Sequence, residues 1–197
     1  TMAKAAGGFA IHLDGKPVKM PSGAALCVPN EALATAVMLE WAGQEADIIP
    51  DSMPLTQILI TGHDRVARER AAMEKAVLGY LDTDLLCYRA TLPAEKAKRQ
   101  AETWNPWLQW FEKEYSVRLL TTENLQAIAQ PPQAHAAARD AVGRLDDLKF
   151  TVMQMVVSQS GSLVLGLAFT AGAVAPEQVI AAAHVEESFK AEIYNES

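Results

Sequence analysis

The chain has 197 residues, of which 50% are hydrophobic and 21% are charged, and its formal net charge is −7. This composition is typical of a globular protein with enough residues for a real core, in one large domain or two small ones. The negative charge argues against nucleic acid and against an anionic membrane surface as partners. The two cysteines, Cys27 and Cys87, are too few for a disulfide framework, so a reducing compartment is expected.

The first predicted elements are strands within residues 8–29. Apolar and polar residues alternate on both sides of Asp14-Gly15, which predicts an antiparallel β-hairpin. One face of this hairpin would carry the side chains of Phe9, Ile11 and Leu13. A further short strand is predicted over residues 25–28, where Pro29 ends it.

Two helices are predicted next. Asn30 is a favourable N-cap for a helix from Glu31 to about Ala46, and a helical spacing of apolar residues defines its inward side. The residues of that side are Leu33, Val37, Trp41 and Gln44. Pro54 fits the first position of a short helix through residue 60.

A longer helix is predicted after Gly62, with Asp64 as its N-cap and about residue 80 as its end. Its buried side would be formed by Val66, Met73, Val77 and Tyr80. The helical period breaks over residues 81–88, which predicts an extended hinge. The domain boundary is therefore placed there, with an N-terminal α/β domain over residues 1–84 and a C-terminal domain over residues 85–197.

The C-terminal domain is predicted to be almost entirely helical. Its helices span residues 94–115 (kinked or divided at Pro106), then 132 onward, 145–158, 162–171 and 176–194. Residues 151–176 carry no formal charge, but polar residues and Gly161 interrupt the run. This interruption favours a buried helix capped by Ser162 over a membrane span. The predicted fold class is α+β, a small antiparallel hairpin or sheet with helices followed by an orthogonal helical bundle.

Few residues suggest catalysis. The four histidines are scattered, without metal-ligand spacing, and no phosphate-binding or dinucleotide-binding motif is present, so no metal or cofactor is expected. Asp82 and Asp84 would share a face if their segment is extended, as an acid/base pair requires. The alternative is that one carboxylate caps a turn and the other pairs with Arg89. Under the first interpretation the protein would be an enzyme that processes a small molecule, and His63 would join the two carboxylates in its active site.

Two features indicate protein recognition instead. The segment 104–115 is rich in aromatic residues, and helical spacing places Trp104, Trp107 and Phe111 on a core face, with Trp110 beside it. A partly exposed tryptophan is a common interface anchor.

The last helix would place Val179, Ala183, Glu186 and Ile193 on one face. Two interpretations of Glu186 remain open: an exposed pair with Lys190, or a carboxylate held for a basic partner residue.

Taken together, six segments resemble one family, the assembly chaperone for the alpha subunit of the F-type ATP synthase catalytic head. They are GFAIHLDGKPVKMP, LEWAGQ with IIPDSMPLT, GYLDTDLLCYRA, RQAETWNPWLQWF, SLVLGLA and VIAAAHVEESF. The resemblance implies a small α/β domain joined to a helical bundle, without catalytic activity or a required cofactor. It also implies a client, the unassembled alpha subunit, whose exposed surface is kept from aggregating.

The resemblance places a functional acidic position in the last helix, at Glu186 or Glu187. The predicted client-binding residues are therefore Glu186, Glu187, Lys190 and Trp110, and Asp82, Asp84 and Arg89 are assigned to the hinge or to structure. We expect a monomer when free, without stable membrane insertion. We expect it in the cytoplasm of a bacterium, because the first residues show no secretory or transit signal, or in the mitochondrial matrix of a eukaryote. A permanent adapter subunit is the remaining alternative.

Overall fold

The computed structural model of the chain describes residues 1–45 and 47–194. The chain divides into two compact units, the first formed by Thr1–Arg70 and the second beginning at Ala71. The first unit contains an antiparallel sheet and the second is mainly helical, which confirms the predicted α+β class. The assignment of residues 1–84 and 85–197 to separate domains stays a prediction.

The sheet of the first unit is organised around one strand. Its strands are β1 (Met2–Ala5), β2 (Gly8–Leu13), β3 (Lys16–Pro17) and β4 (Cys27–Val28), and β2 pairs antiparallel with each of the others. The predicted hairpin is confirmed, because β2 and β3 flank Asp14 and Gly15, which have φ values of 50° and 76°. Positive φ at both turn positions matches the twist of the flanking strands.

Strand β1 is an element that the alternation of residues did not predict. Three residues of its sequence, MAKA, are alanine or lysine, which have low intrinsic strand preference, so pairing with β2 stabilises this strand. Gly8 begins β2 with φ 137°, and a Cβ atom there would lie 2.1 Å from the Val28 carbonyl oxygen. The close approach of β4 to β2 therefore requires glycine at this position.

Helix α1 (Glu31–Ala42) begins as predicted, because the Asn30 side chain accepts a hydrogen bond of 2.9 Å from the Leu33 amide. It ends at Ala42, earlier than predicted, and the predicted end at Ala46 lies outside the described residues. Helix α2 (Pro54–Ile60) has Pro54 in its first turn, as predicted. The Glu40 carboxylate accepts from the Leu55 and Thr56 amides at 2.6 and 2.8 Å, which satisfies the start of α2.

The predicted break at Gly62 is wrong. Thr61–Val66 forms π-helical turns that continue α2 directly into α3 (Ala67–Leu78). Asp64 therefore caps no helix, and its carboxylate accepts instead from the Ser22 amide at 3.0 Å. Hydrogen bonds from the Ser22 side chain and, to a lesser extent, the Ser22 amide lower the pKa of Asp64. The predicted inward side of α3 is confirmed at Val66, Met73 and Val77, which are buried, while Tyr80 is half-buried.

The predicted extended segment after α3 is also wrong. Gly79–Thr83 and Leu85–Cys87 form two 3-10 turns. Leu81 and Leu86 are fully buried, and burial of two leucines stabilises compact turns over an extended chain. The thiols are free, with Cys27 half-buried and Cys87 buried.

The helices of the second unit form layers around a short buried helix. They are α4 (Ala94–Tyr115), α5 (Pro132–Gly143), α6 (Asp147–Ser160), α7 (Leu163–Thr170), α8 (Pro176–Ala183) and α9 (Val185–Tyr194). Helix α4 is continuous through Pro106. Helix α7 packs against α4, α6 and α8, and its residues 163–168 are buried on every side.

The uncharged residues 151–176 therefore belong mainly to two helices, α6 and α7, rather than to one membrane-spanning helix. Gly161 ends α6 with φ 69°, and the Ser162 hydroxyl accepts from the Leu165 amide at 3.1 Å to begin α7. The predicted cap and core helix are confirmed. Among the described residues, every helix falls short of the length and apolar character that a bilayer crossing demands.

Candidate functional site

The C-terminal helical segment packs on α4 with a face that differs from the predicted one. A break at His184 separates α8 from α9, so the two do not share one helical phase. Ala182, Val185 and Phe189 are buried, whereas Ile193 is 54% exposed. The prediction of one face running from Val179 to Ile193 is wrong because the break rotates the second half of the segment.

Glu186 connects α9 to α4. Its Oε1 atom lies 3.0 Å from Lys96 Nζ and accepts a hydrogen bond of 2.6 Å from Gln100 Nε2. The Gln100 side chain is 1% exposed, and its Oε1 also accepts from the Ala90 amide at 2.7 Å. Of the two interpretations left open for Glu186, the structure does not support the exposed pair with Lys190, because Glu186 holds α9 in place through a partly buried network with α4.

Glu187 and Lys190 lie on the outer side of α9, where both residues are exposed. A nearby contact was not predicted from the sequence. Arg99 donates two hydrogen bonds of 2.8 Å to the Glu192 carboxylate, and its Cζ atom lies 5.4 Å from the centroid of the Phe189 ring. This bidentate bond lowers the pKa of Glu192 and raises the pKa of Arg99. Helix α9 is therefore held against α4 on its inner side, and its outer face presents Glu187 and Lys190.

In the aromatic segment of α4, the burial of three tested side chains agrees with the prediction. Trp104 and Phe111 are fully buried, and Trp110 is half-buried. Trp107, predicted in the core, is half-buried. Trp110 contacts Tyr115 edge to face with ring centroids 5.9 Å apart. Since Trp110 lies ten residues beyond Gln100, it is about 15 Å along α4 from the Glu186 contact, so the candidate residues form two separate patches.

Asp84 is fully buried and joins two helical turns. One carboxylate oxygen accepts from the Leu86 amide at 3.1 Å, and the other accepts from the Val164 amide at 3.0 Å, at the start of α7. Burial raises the pKa of this carboxyl to about 6, although the hydrogen bonds from Val164, Ser162 and Leu86 oppose the increase. The interpretation in which this carboxylate caps a turn is confirmed.

Asp82 contacts different elements. Its Oδ1 atom lies 3.0 Å from His135 Nε2 and accepts from the Gln130 amide at 2.9 Å. Arg89, the predicted partner, donates instead to Asn105 Oδ1 at 2.8 Å and to the Gln100 carbonyl oxygen at 3.3 Å. The two carboxylates therefore stabilise separate contacts rather than form an acid/base pair.

His63, the third residue considered for catalysis, also makes a structural contact. His63 Nε2 lies 3.2 Å from the Cys27 carbonyl oxygen in the first unit. Across residues 1–45 and 47–194, histidine, cysteine and carboxylate side chains form no group of three or more that could hold a metal ion.

Known proteins include relatives that share this fold. Residues 1–112 match the family described as ATP12 chaperone protein. The crystal structure of Atp12 from Paracoccus denitrificans has a TM-score of 0.93 and 33% sequence identity, covering 100% of this chain and 84% of that one. The Atu1473 protein of Agrobacterium tumefaciens gives the same TM-score and identity, with 74% of its chain covered.

A mitochondrial relative is more distant. The mitochondrial protein atp12 of Schizosaccharomyces pombe is 24% identical over 192 residues, which are 91% of this chain. The chain spans 66% of the length of that relative. The family match covers more than half of the chain, and the 33% identity extends over the whole of it. The chain belongs to the ATP12 chaperone family.

Proposed function

We propose that this protein is a chaperone that binds the unassembled alpha subunit of the F-type ATP synthase and promotes assembly of the catalytic head. The observation that carries the proposal is the match to the ATP12 chaperone family, together with a solved Atp12 structure that superposes on the whole chain. The proposal includes a monomeric free state without a cofactor. It places the protein in the cytoplasm of a bacterium or in the mitochondrial matrix, according to its source.

The surface of the second unit supports binding of an apolar client. A groove of about 270 Å³ between α6 and α8 is lined mainly by apolar side chains, including Met155, Phe169, Val179 and Ile180. Met155 is 45% exposed and Ile180 is 60% exposed. An unassembled subunit exposes an apolar surface that would otherwise aggregate. The groove gives such a surface a place to pack, next to the helix that carries Glu187 and Lys190.

The proposed interface has three charged residues, Glu186, Glu187 and Lys190, and one aromatic residue on the separate patch, Trp110. An interface that must later release its client is expected to be partly polar. Glu187 is the residue best suited to direct contact, because Glu186 is already engaged with Lys96 and Gln100.

The proposal is tested by co-expression with the alpha subunit of the same organism, without the beta subunit. We expect more soluble alpha subunit when this chain is present, because its apolar surface is covered. The complex should co-purify, and added beta subunit should displace the chaperone. Alpha subunit that stays insoluble and forms no complex at micromolar protein would contradict the proposed function.

Glu187→Lys tests the outer face of α9 alone. We expect about tenfold weaker alpha-subunit binding, because reversal of a charge at an interface replaces attraction with repulsion. Since Glu187 is exposed, the melting temperature should stay within about 2 °C, as for most surface substitutions. Glu31→Lys, at an exposed position in the first turn of α1 in the first unit, is the matched control, because Glu187 also lies in the first turn of its helix. Equal binding by the two variants would remove Glu187 from the interface.

A further inference from the structure

A second concave surface of the second unit lies along α4. One wall is formed by α4 residues that share a helical face, including Ala97, Ala101 and Asn105, and the other wall is residues 118–121. The groove has a volume of about 680 Å³, within the range of known ligand sites. The two small alanines leave the space into which a ligand chain could fit.

The wall opposite α4 is fixed by hydrogen bonds at Leu120 and at Thr122, which follows the wall. Gln130 brackets Leu120, because its side chain accepts from the Leu120 amide at 2.8 Å and donates to the Leu120 carbonyl oxygen at 3.0 Å. The Thr122 amide donates to the Cys87 carbonyl oxygen at 2.8 Å, and the Arg89 amide donates to the Thr122 carbonyl oxygen at 2.7 Å. The groove is therefore preformed, which reduces the ordering cost of binding.

The groove is lined by more positive than negative side chains, whereas the chain as a whole is negatively charged. Arg89 and Arg118 line it together with a single carboxylate, Glu112, although the whole chain carries a net charge of −7. Arg89 is held over the Trp104 ring at 5.3 Å and donates to Asn105 and Gln100. These two contacts engage two of the five N–H donors of its guanidinium group, so donors remain for an anion.

The apolar side chains beside the arginines indicate what kind of anion would bind. Leu108, Leu119 and Leu120 also line the groove, and Leu120 is 50% exposed. Leu119 is already buried within the protein, at 5% exposure, but a small inorganic ion would leave Leu108 and Leu120 in contact with water. A peptide segment with a carboxylate next to an apolar residue would satisfy the arginines and cover the leucines together.

We propose that the α4 groove binds an acidic segment of the client subunit, with an Asp or Glu carboxylate of the client between Arg89 and Arg118. A neighbouring apolar side chain of the client packs against Leu108 and Leu120. This inference rests on the proposed function, because the occupant is the alpha subunit. It adds a second contact surface, distinct from the outer face of α9.

Charge reversal at Arg118 tests the groove. Arg118 is exposed, so Arg118→Glu should leave the fold intact, whereas Arg89 is needed for packing on Trp104. We expect the dissociation constant for purified alpha subunit to rise at least about tenfold, since a charge-assisted bond becomes a repulsion. The control is Arg139→Glu, an identical charge change at an exposed position of α5, which should change the constant less than about twofold.

Cross-linking identifies the segment that occupies the groove. Leu120 is replaced by p-benzoylphenylalanine, the complex with alpha subunit is irradiated, and the attached client peptide is sequenced by mass spectrometry. We expect a peptide that contains Asp or Glu, and exchange of that residue for Lys should restore binding to Arg118→Glu.

The outcomes separate the two proposals. If the unaltered chain binds no alpha subunit, the proposed function fails. If the unaltered chain binds but Arg118→Glu behaves like Arg139→Glu, the groove proposal alone is overturned. A cross-linked peptide without a carboxylate, or a Lys exchange that restores nothing, overturns it as well.

Discussion

Asp84→Ala should lower the free energy of unfolding by about 2–5 kcal/mol at pH 7.5. The substitution leaves the Leu86 and Val164 amides without their carboxylate acceptor inside the protein, and each buried unsatisfied group costs about 1–3 kcal/mol. Urea unfolding followed by circular dichroism measures the loss. Asp146→Ala is the matched control, because Asp146 caps α6 at an exposed position and should cost only about 1 kcal/mol.

The loss should also depend on pH, with a sign that follows from the raised pKa of Asp84. The folded protein binds this proton with a pKa of about 6, against 3.8 for the ordinary carboxyl. Between these values the folded state holds more protons than the unfolded state, so the stabilising contribution of Asp84 decreases as the pH rises. The stability difference between the unaltered chain and Asp84→Ala should therefore be larger at pH 4.5 than at pH 7.5, by about 2 kcal/mol.

Because the other carboxylates titrate in both proteins, the difference between them isolates Asp84. A difference that is constant with pH, or that increases toward pH 7.5, would contradict the raised pKa. A loss at pH 7.5 no larger than that of Asp146→Ala would show that the buried carboxylate is not the cap that joins the 3-10 turn to α7.

Trp104→Ala should be about as damaging, with a loss of about 3–5 kcal/mol, the range for a fully buried aromatic side chain. Trp104 is 0% exposed, and its indole N–H donates to the Ala182 carbonyl oxygen at 2.8 Å, near the end of α8. Its ring also supports the Arg89 guanidinium. The substitution removes core packing and the hydrogen bond at the break between α8 and α9 together.

Two further variants divide these contributions. Trp104→Phe retains most of the ring and loses the hydrogen bond, so a loss of about 1–3 kcal/mol is expected from the unsatisfied carbonyl group. Trp110→Ala, at a half-buried position of the same helix, should cost less than Trp104→Ala because less apolar area returns to water on truncation. Equal losses at positions 104 and 110 in urea unfolding would contradict the assignment of Trp104 as the core residue of this cluster.

Local structure that depends on a few neighbouring residues could be predicted from the sequence. The turn at Asp14 and Gly15, the Asn30 cap, the position of Pro54 and the Ser162 cap were all predicted correctly, because backbone preferences and local hydrogen bonds act over a few residues. The buried character of residues 163–168 followed from the absence of charge. The family was also visible in the order of the motifs.

Contacts between distant residues were decided by the tertiary structure. Glu186 binds Gln100 and Lys96 on another helix rather than Lys190 one turn away, since packing of Val185 and Phe189 sets the rotation of α9. Asp84 binds an amide 80 residues later in the chain. Strand β1 forms because β2 provides its hydrogen-bond partners. By itself, the sequence determined the helix caps, the hairpin turn, the fold class and the family. Packing determined the remaining elements, which side chains stabilise the fold and which remain exposed for a partner.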